Sequence, residues 1–230
     1  MATTTLYHLL LTTHNLPSSQ NPLNKVEKIR APGIYTSLTQ AQAAAHRALF
    51  DLGLERDFFT VYEVREEEFA QHPSLGKGPD AIADKAGLAV HAVARDGSVW
   101  QVRVAATPVE DAKAKGWEAS WEDGRVGGGD AYLVVRTKVR GEEERGGVRE
   151  HVVLGATRTL GEARRAAAEA VQALKQEGKF EVAEMDDGEE LGESTVGHAV
   201  GNDGENVFVS VVKVVELEAV RVGEASMRIR

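Results

Sequence analysis

The sequence predicts an α+β protein made of two tandem ββ-α-βββ repeats, each a mainly antiparallel sheet with one helix on a face. Two pairs of matching stretches carry this prediction. HAVARDGSVWQVRV begins at His91, and HAVGNDGENVFVSV begins at His198. Further upstream, SLTQAQAAAHRAL begins at Ser37 and TLGEARRAAAEAV begins at Thr159. Because the matching stretches come in the same order in both halves, a duplicated unit with pseudo-two-fold symmetry is the simplest explanation.

Two strands are predicted before the helix in each half, because apolar segments there are bounded by polar turn residues. In the first half these strands cover residues 6–13 and about 29–36. In the second half they cover residues 131–140 and 148–156. One helix cannot cover both faces of a five-stranded sheet, so we expect the remaining faces to meet water or each other.

The helix of each half is predicted from its first residues and from an apolar stripe. Ser37 with Gln40, and Thr159 with Glu162, have the spacing of a capping box. A stripe made mostly of alanine lets a helix lie close against a sheet. The stripe recurs at helical spacing in both halves: Leu38, Ala41, Ala44, Ala45, Ala48, Leu49 and Leu52, then Leu160, Ala163, Ala166, Ala167, Ala170, Val171 and Leu174.

A further strand is predicted after each helix. The alignment that relates Ser37 to Thr159 also relates Phe58 to Phe180, so these phenylalanines mark equivalent strands. The helix stretches lie 122 residues apart, whereas the HAV stretches lie only 107 apart. The first half therefore carries a 15-residue loop insertion between about 65 and 87.

The last two strands of each half are predicted to form a hairpin around an Asp-Gly pair, at 96–97 and at 203–204. Aspartate followed by glycine suits the two central positions of a type I′ turn, where both residues need positive φ. A two-residue turn pairs His91 with Val102. It thereby places His91, and likewise His198, on the apolar face under the helix.

The predicted domain organisation follows from these alignments. The first α+β repeat covers residues 1–109, a linker covers 110–130, and the second repeat covers 131–230. Trp117 and Trp121 lie in this glycine-rich linker, where large aromatic side chains are unusual. They either fix the linker to a domain or offer an anchor to a protein partner, and we favour the first interpretation.

The composition excludes several functional classes. A net charge of −9, from 27 basic and 36 acidic residues, opposes binding to nucleic acid or to anionic membranes. The absence of cysteine excludes disulfides, thiolate catalysis and cysteine zinc sites. The first residues, MATTTLYHLLLTTHN, lack a basic segment and a long apolar run, so we expect no signal peptide, no membrane span and a cytoplasmic location. No metal-ligand spacing or cofactor motif occurs, so we expect neither a metal nor a cofactor.

His91 and His198 are the candidate ligand-binding residues, because they recur at equivalent positions. Such a pair could serve as a shared catalytic or metal-binding site. A catalytic base, however, needs an orienting carboxylate, and neither HAV stretch contains one on the same face. Their predicted place on a valine-rich face favours a structural role.

Arg136, Lys138 and Arg140 are candidate partner-binding residues because they alternate along one predicted strand. Alternation places all three positive charges on one face, where they could meet an acidic partner. The simpler interpretation is the solvated side of an antiparallel strand, on which charge discourages edge-to-edge association.

We therefore expect a non-catalytic intracellular protein-binding or assembly protein, which holds another protein or a second copy of itself on a free sheet face or edge. The alternative is a small-molecule binder or enzyme, with a site in the cleft between the repeats near His91 and His198. Nucleic-acid binding through the basic strand is a third hypothesis, which the net charge opposes.

Overall fold

The structure is a computed structural model in which the contacts between residues divide the chain into two compact units. Among the described residues, the first unit holds the chain up to Gly128 together with residues 214–217, and the second holds 129–213. Much of the predicted linker therefore groups with the first unit. The described residues are 3–15, 27–65, 87–110, 112, 115–120, 122–140, 148–176, 178, 180–185, 194–201 and 204–217.

Among its described residues, the first unit contains five strands and one α-helix: β1 (Thr3–Asn15), β2 (Glu27–Tyr35), α1 (Leu38–Asp51), β3 (Phe59–Val64), β4 (Leu88–Ala94) and β5 (Ser98–Glu110). The strands form an antiparallel sheet in the order β2-β1-β5-β4-β3. The helix therefore connects the two edge strands and crosses one face of the sheet.

The described part of the second unit also contains five strands and one α-helix: β6 (Tyr132–Arg140), β7 (Val148–Thr157), α2 (Leu160–Gln176), β8 (Phe180–Met185), β9 (Ser194–Gly201) and β10 (Asn206–Lys213). Its antiparallel sheet has the order β7-β6-β10-β9-β8. The predicted α+β class, with two antiparallel sheets and few helices, is confirmed.

Each helix packs its predicted stripe against its own sheet. Alanine at most contact positions keeps the side chains short, so the helix axis lies close to the sheet. Leu38 and Leu160, in the first turns, are exposed instead. The buried stripe residues are Ala41, Ala45, Ala48 and Leu49 on α1, and Ala163, Ala167, Val171 and Leu174 on α2.

The register of the first hairpin differs from the predicted one by a single residue. Ala92 lies opposite Trp100, and His91 lies opposite Gln101 rather than the predicted Val102. Successive strand residues point to opposite faces, so this slip moves His91 to the face away from α1. The prediction that His91 packs under the helix is therefore wrong.

The slip comes from the turn between β4 and β5. The Gly97 amide donates to the Ala94 carbonyl over 3.0 Å, and Gly97 has a φ of 84°. The Asp96 carboxylate accepts hydrogen bonds from the Ser98 amide at 2.9 Å and from its hydroxyl at 2.6 Å. This is a three-residue loop with glycine in the left-handed region, not the predicted two-residue type I′ turn.

The second hairpin is closed by a corresponding hydrogen bond. The Gly204 amide donates to the Gly201 carbonyl over 3.0 Å, and Gly204 has a φ of 81°. His198 consequently lies opposite Phe208, on the face away from α2. The prediction for His198 is therefore wrong for the same reason, whereas Asp203 itself lies outside the described residues.

The strand after α1 begins one residue later than predicted. β3 starts at Phe59, which is buried, whereas Phe58 ends a short 3-10 turn and is 40% exposed. Phe59 lies opposite Ala94 in the ladder, as Phe180 lies opposite Gly201. Phe59, and not the predicted Phe58, is therefore the positional counterpart of Phe180.

The predicted cap forms at the start of α2 but not at the start of α1. The Thr159 hydroxyl accepts from the Glu162 amide at 3.2 Å, as in a capping box, and donates to the Glu162 carboxylate at 2.9 Å. Ser37 is the N-cap of α1, but its side chain makes no capping hydrogen bond. The Gln40 side chain instead donates to the Glu122 carbonyl at 3.3 Å. The N-cap bond of the predicted box is therefore confirmed for α2, and the predicted box is wrong for α1, because Gln40 bonds to another segment.

This difference leads to a prediction about the two caps. Thr159→Ala should lower the free energy of unfolding by about 1 kcal/mol, because it removes a formed cap. Ser37→Ala should change it by less than about 0.5 kcal/mol, because no cap bond is lost. Urea denaturation of both variants measures the difference, and equal losses would contradict the assigned caps.

The two edges of the first sheet differ in how they are covered. The Val126 amide donates to the Ile34 carbonyl at 2.8 Å, and the Val215 amide donates to the Ala31 carbonyl at 3.0 Å. Two of the chain's own segments thus cover the outer side of β2. At the opposite edge, no strand among the described residues pairs with the outer side of β3.

Candidate functional site

His91 is half-buried on the face of the first sheet away from α1. Its register partners are Glu63 on β3 and Gln101 on β5. Burial lowers the pKa of His91, the Glu63 carboxylate opposes this effect, and the guanidinium groups of Arg65 and Arg103 reinforce it. The imidazole is therefore held neutral among charged neighbours rather than enclosed by valine.

His198 has different neighbours in the second unit. Its ring stacks on Phe208, with 4.5 Å between the ring centroids and 6° between the planes. Its Nε2 lies 3.0 Å from Oδ1 of Asn206, whose amide nitrogen donates to the Gly204 carbonyl at 3.2 Å. The Cα register pairs His198 with Glu184. Stacking and hydrogen bonding therefore fix the orientation of this ring on the sheet.

An acidic register partner of each histidine was not predicted from the sequence. The Cα register places Glu63 opposite His91 and Glu184 opposite His198 in the ladder. The Glu63 carboxylate near the His91 imidazole is one part of a general-base arrangement. The glutamates were detectable as a second recurring pair, but only after Phe59 is aligned with Phe180. Among the described residues, no group of three metal-ligating side chains occurs.

The basic strand is β6, and its charged residues lie on the face that carries α2. Val134 belongs to the core on the α2 side, and alternate residues share a face, so Arg136 and Lys138 point the same way. The Nζ of Lys138 lies 2.8 Å from Oε1 of the largely buried Glu205. This ion pair neutralises Lys138 within the unit. The side chain of Arg140 lies outside the described residues, and partner binding by this strand stays a prediction.

Trp117 is 3% exposed, and its amide donates to the Ala112 carbonyl at 2.8 Å. A β-bridge between Ala119 and Val126 folds the following residues back on themselves. Burial of this ring favours its role in fixing the segment to the first unit over a role as a partner anchor. Trp121 lies outside the described residues.

Exposed apolar side chains occur on β3 and beside it, and they were not predicted from the sequence. We call this set the β3 surface and define it by Phe50 on α1, Phe58 just before β3, and Val61 and Val64 on β3. All four side chains are large, apolar and exposed, with exposed fractions from 39% to 49%. Valines in a short strand look the same in the sequence whether they are buried or exposed, so the pattern alone cannot reveal this surface.

Ring contacts hold the aromatic part of the β3 surface in place. Tyr62 lies 6.0 Å from Phe50 and 5.6 Å from Phe59, measured between ring centroids. Phe58 meets Phe59 edge-on at 5.0 Å, and the guanidinium of Arg56 lies 4.8 Å from the centroid of the Tyr62 ring. Such contacts preorganise the exposed rings, which lowers the entropic cost of binding.

Comparisons with protein-family models, curated proteins and solved structures gave no match to the chain. Within the part of the chain that the structure describes, no helix combines the length and the apolar character needed to cross a membrane. The fold class and the surfaces described above are therefore the basis for assigning a function.

Proposed function

We propose that the protein is a non-catalytic protein-binding or assembly protein and that the β3 surface binds its partner. The observation that carries this proposal is a set of four exposed, large apolar side chains at a sheet edge without a described neighbouring strand. Natural proteins usually cover or charge such an edge, because its free backbone groups template pairing with another chain.

The geometry favours strand addition as the mode of binding. An extended partner segment pairs its backbone with the outer side of β3, and side-chain contacts on the two faces give specificity. Val61 and Glu63 point to one face of the sheet, whereas Phe59 and Tyr62 point to the face with α1. A partner strand therefore meets an apolar and acidic surface on one side and the aromatic cluster on the other.

We also propose that the two units descend from one duplicated module. Their ladders are irregular at corresponding places, since the β1–β2 pairing shifts between Leu9 and Leu11 and the β6–β7 pairing shifts between Val134 and Val135. The corresponding hydrogen bonds that close the two hairpins, each donated by a glycine with positive φ, support the same origin. The pseudo-two-fold symmetry and the domain bounds stay predictions.

The alternative function is small-molecule binding near His91 and His198. The Glu63 carboxylate, which acts on the pKa of His91, favours it, because an imidazole with a neighbouring carboxylate can bind polar ligands. Shifts of the His91 and His198 imidazole NMR signals on addition of small polar metabolites would favour this alternative over protein binding.

Photo-cross-linking tests the β3 surface directly. We expect a photoreactive phenylalanine analogue at Val61 to form a covalent adduct with a protein when the full chain is expressed in its native cells. The matched control is the same analogue at Leu160 on α2, because both side chains are 39% exposed. The control position should give no adduct.

A second substitution makes the result specific. Val64→Lys places a charge on the exposed edge and should abolish the Val61 adduct without changing the circular dichroism spectrum. An adduct of equal yield at Leu160, or no adduct at Val61, would contradict the proposal. The mass of the adduct distinguishes another protein from a second copy of this chain.

A further inference from the structure

The groove between β2 and α1 in the first unit already holds a piece of the chain. Residues 214–217 follow β10 in the sequence but belong to the first unit. Val214 forms a parallel bridge with Ala31, and the Val215 amide donates to the Ala31 carbonyl at 3.0 Å. The segment is thus added to the β2 edge as a very short extra strand.

Two side chains anchor this segment. Oε1 of Glu216 lies 3.5 Å from Nη1 of Arg125, and Leu217 packs against the core on the α1 side. Arg125 is itself fixed by a β-bridge to Tyr35 and by an ion pair with Asp123 at 3.7 Å. The groove therefore offers a backbone edge, then a fixed positive charge, and then an apolar slot. This order suits an extended segment in which an acidic residue is followed by an apolar residue.

The segment does not fill the groove. A cavity of about 540 Å³ remains beside Glu216 and Leu217, and Tyr35, Ala44 and Arg47 are among its other lining residues. Burial raises the pKa of the Tyr35 hydroxyl. The cavity volume lies within the range of sites that hold small ligands, so the groove accepts a side chain larger than leucine.

The interactions that hold the resident segment are individually weak. The Val215 amide bonds to β2, and the side chain of Glu216, which carries the paired carboxylate, is 56% exposed. An ion pair with one exposed partner contributes little stability in water. The segment is retained mainly because its attachment to the same chain keeps its local concentration high.

We propose that this groove is a recognition site for an extended segment of a partner protein, in which an acidic residue directly precedes a large apolar residue. In the free protein, residues 214–217 occupy the groove, and the partner segment displaces them. The site goes beyond the proposed function, because it lies at the opposite edge of the sheet from β3. Either site can therefore fail in its own test without affecting the other.

Binding of a labelled peptide to the full-length protein tests this site. The probe is Lys-Val-Val-Glu-Leu-Glu, the sequence of residues 213–218, and fluorescence anisotropy is the measurement. Glu216→Arg opposes Arg125 and should loosen the resident segment. This variant should bind the probe at least about tenfold more tightly than the original chain does. Leu217→Ala removes the apolar anchor of the segment, and this variant should also bind the probe more tightly than the original chain does.

Three controls make the test specific. Adding Arg125→Glu to Glu216→Arg restores a pair of opposite charges within the chain, and it should return probe affinity to the original level or below. A probe with tryptophan in place of leucine should bind more tightly, and one with alanine should not bind. Circular dichroism and a cooperative unfolding transition must show that each variant is folded.

Two results would overturn the proposal. The first is that neither Glu216→Arg nor Leu217→Ala binds the probe more tightly than the original chain does. The second is formation of dimers, seen by light scattering, when Glu216→Arg is mixed with the original chain. That result would assign the groove to segment exchange between copies rather than to a partner protein.

Discussion

Replacing Trp117 with alanine should lower the free energy of unfolding of the first unit by about 3–5 kcal/mol. The ring is 3% exposed, so its removal leaves a cavity in addition to the lost burial of apolar surface. The effect should be largest on the unfolding transition of the first unit, because Trp117 groups with that unit. Urea denaturation followed by circular dichroism measures this loss.

The control lies in the same segment. Glu122 is exposed, and its backbone carbonyl rather than its side chain accepts the bond from Gln40, so Glu122→Ala should change stability by less than about 0.5 kcal/mol. Trp117→Phe should cost less than Trp117→Ala. A loss below about 1 kcal/mol for Trp117→Ala would contradict the conclusion that this ring fixes the segment.

Lowering the pH from about 6.5 to about 4 should reduce stability by about 3 kcal/mol through His8 alone. His8 is fully buried in β1, and burial lowers its pKa from 6.5 to about 4. Its Nε2 lies 2.6 Å from Oγ1 of Thr107, whereas Nδ1 has no hydrogen-bond partner among the described residues. Between these two pKa values the unfolded chain binds a proton that the folded chain excludes, so stability falls as the pH falls.

The pH dependence is isolated by comparing variants. His8→Gln removes the titrating group, so the slope of unfolding free energy against pH should become smaller in this window. His8→Phe is a second variant without a titrating group at this position, and its slope should match that of His8→Gln. His91, whose pKa is also lowered, adds to the slope in both variants. Unchanged slopes in His8→Gln would contradict the assigned pKa.

Periodic patterns identified the elements of the fold, but the sequence did not determine the register of the hairpins. The alanine stripes at helical spacing predicted both helices because burial of one face dominates helix packing. An Asp-Gly pair is compatible with a two-residue and with a three-residue loop, since both need glycine at positive φ. The contact between Asp96 and Ser98 accompanies the longer loop, and a one-residue change reverses the face of every residue in a strand.

The candidate sites depend more strongly on tertiary context than the elements do. His91 was identified from recurrence, but Glu63 belongs to another strand and becomes its neighbour only through the sheet. The β3 surface was missed because Val61 and Val64 have the residue types of an ordinary buried strand. Their exposure follows from the place of β3 at the end of the sheet order, which is set by the crossover of α1.

Amide hydrogen exchange of the complex captured at Val61 tests the central claim most directly, namely that β3 is the edge at which a partner binds. The proposal predicts slower exchange for amides within Phe59–Val64 in the complex than in the free chain. It also predicts unchanged exchange within Glu27–Tyr35, because β2 is already covered by the chain itself. Slower exchange confined to other strands, with β3 unaffected, would contradict the claim.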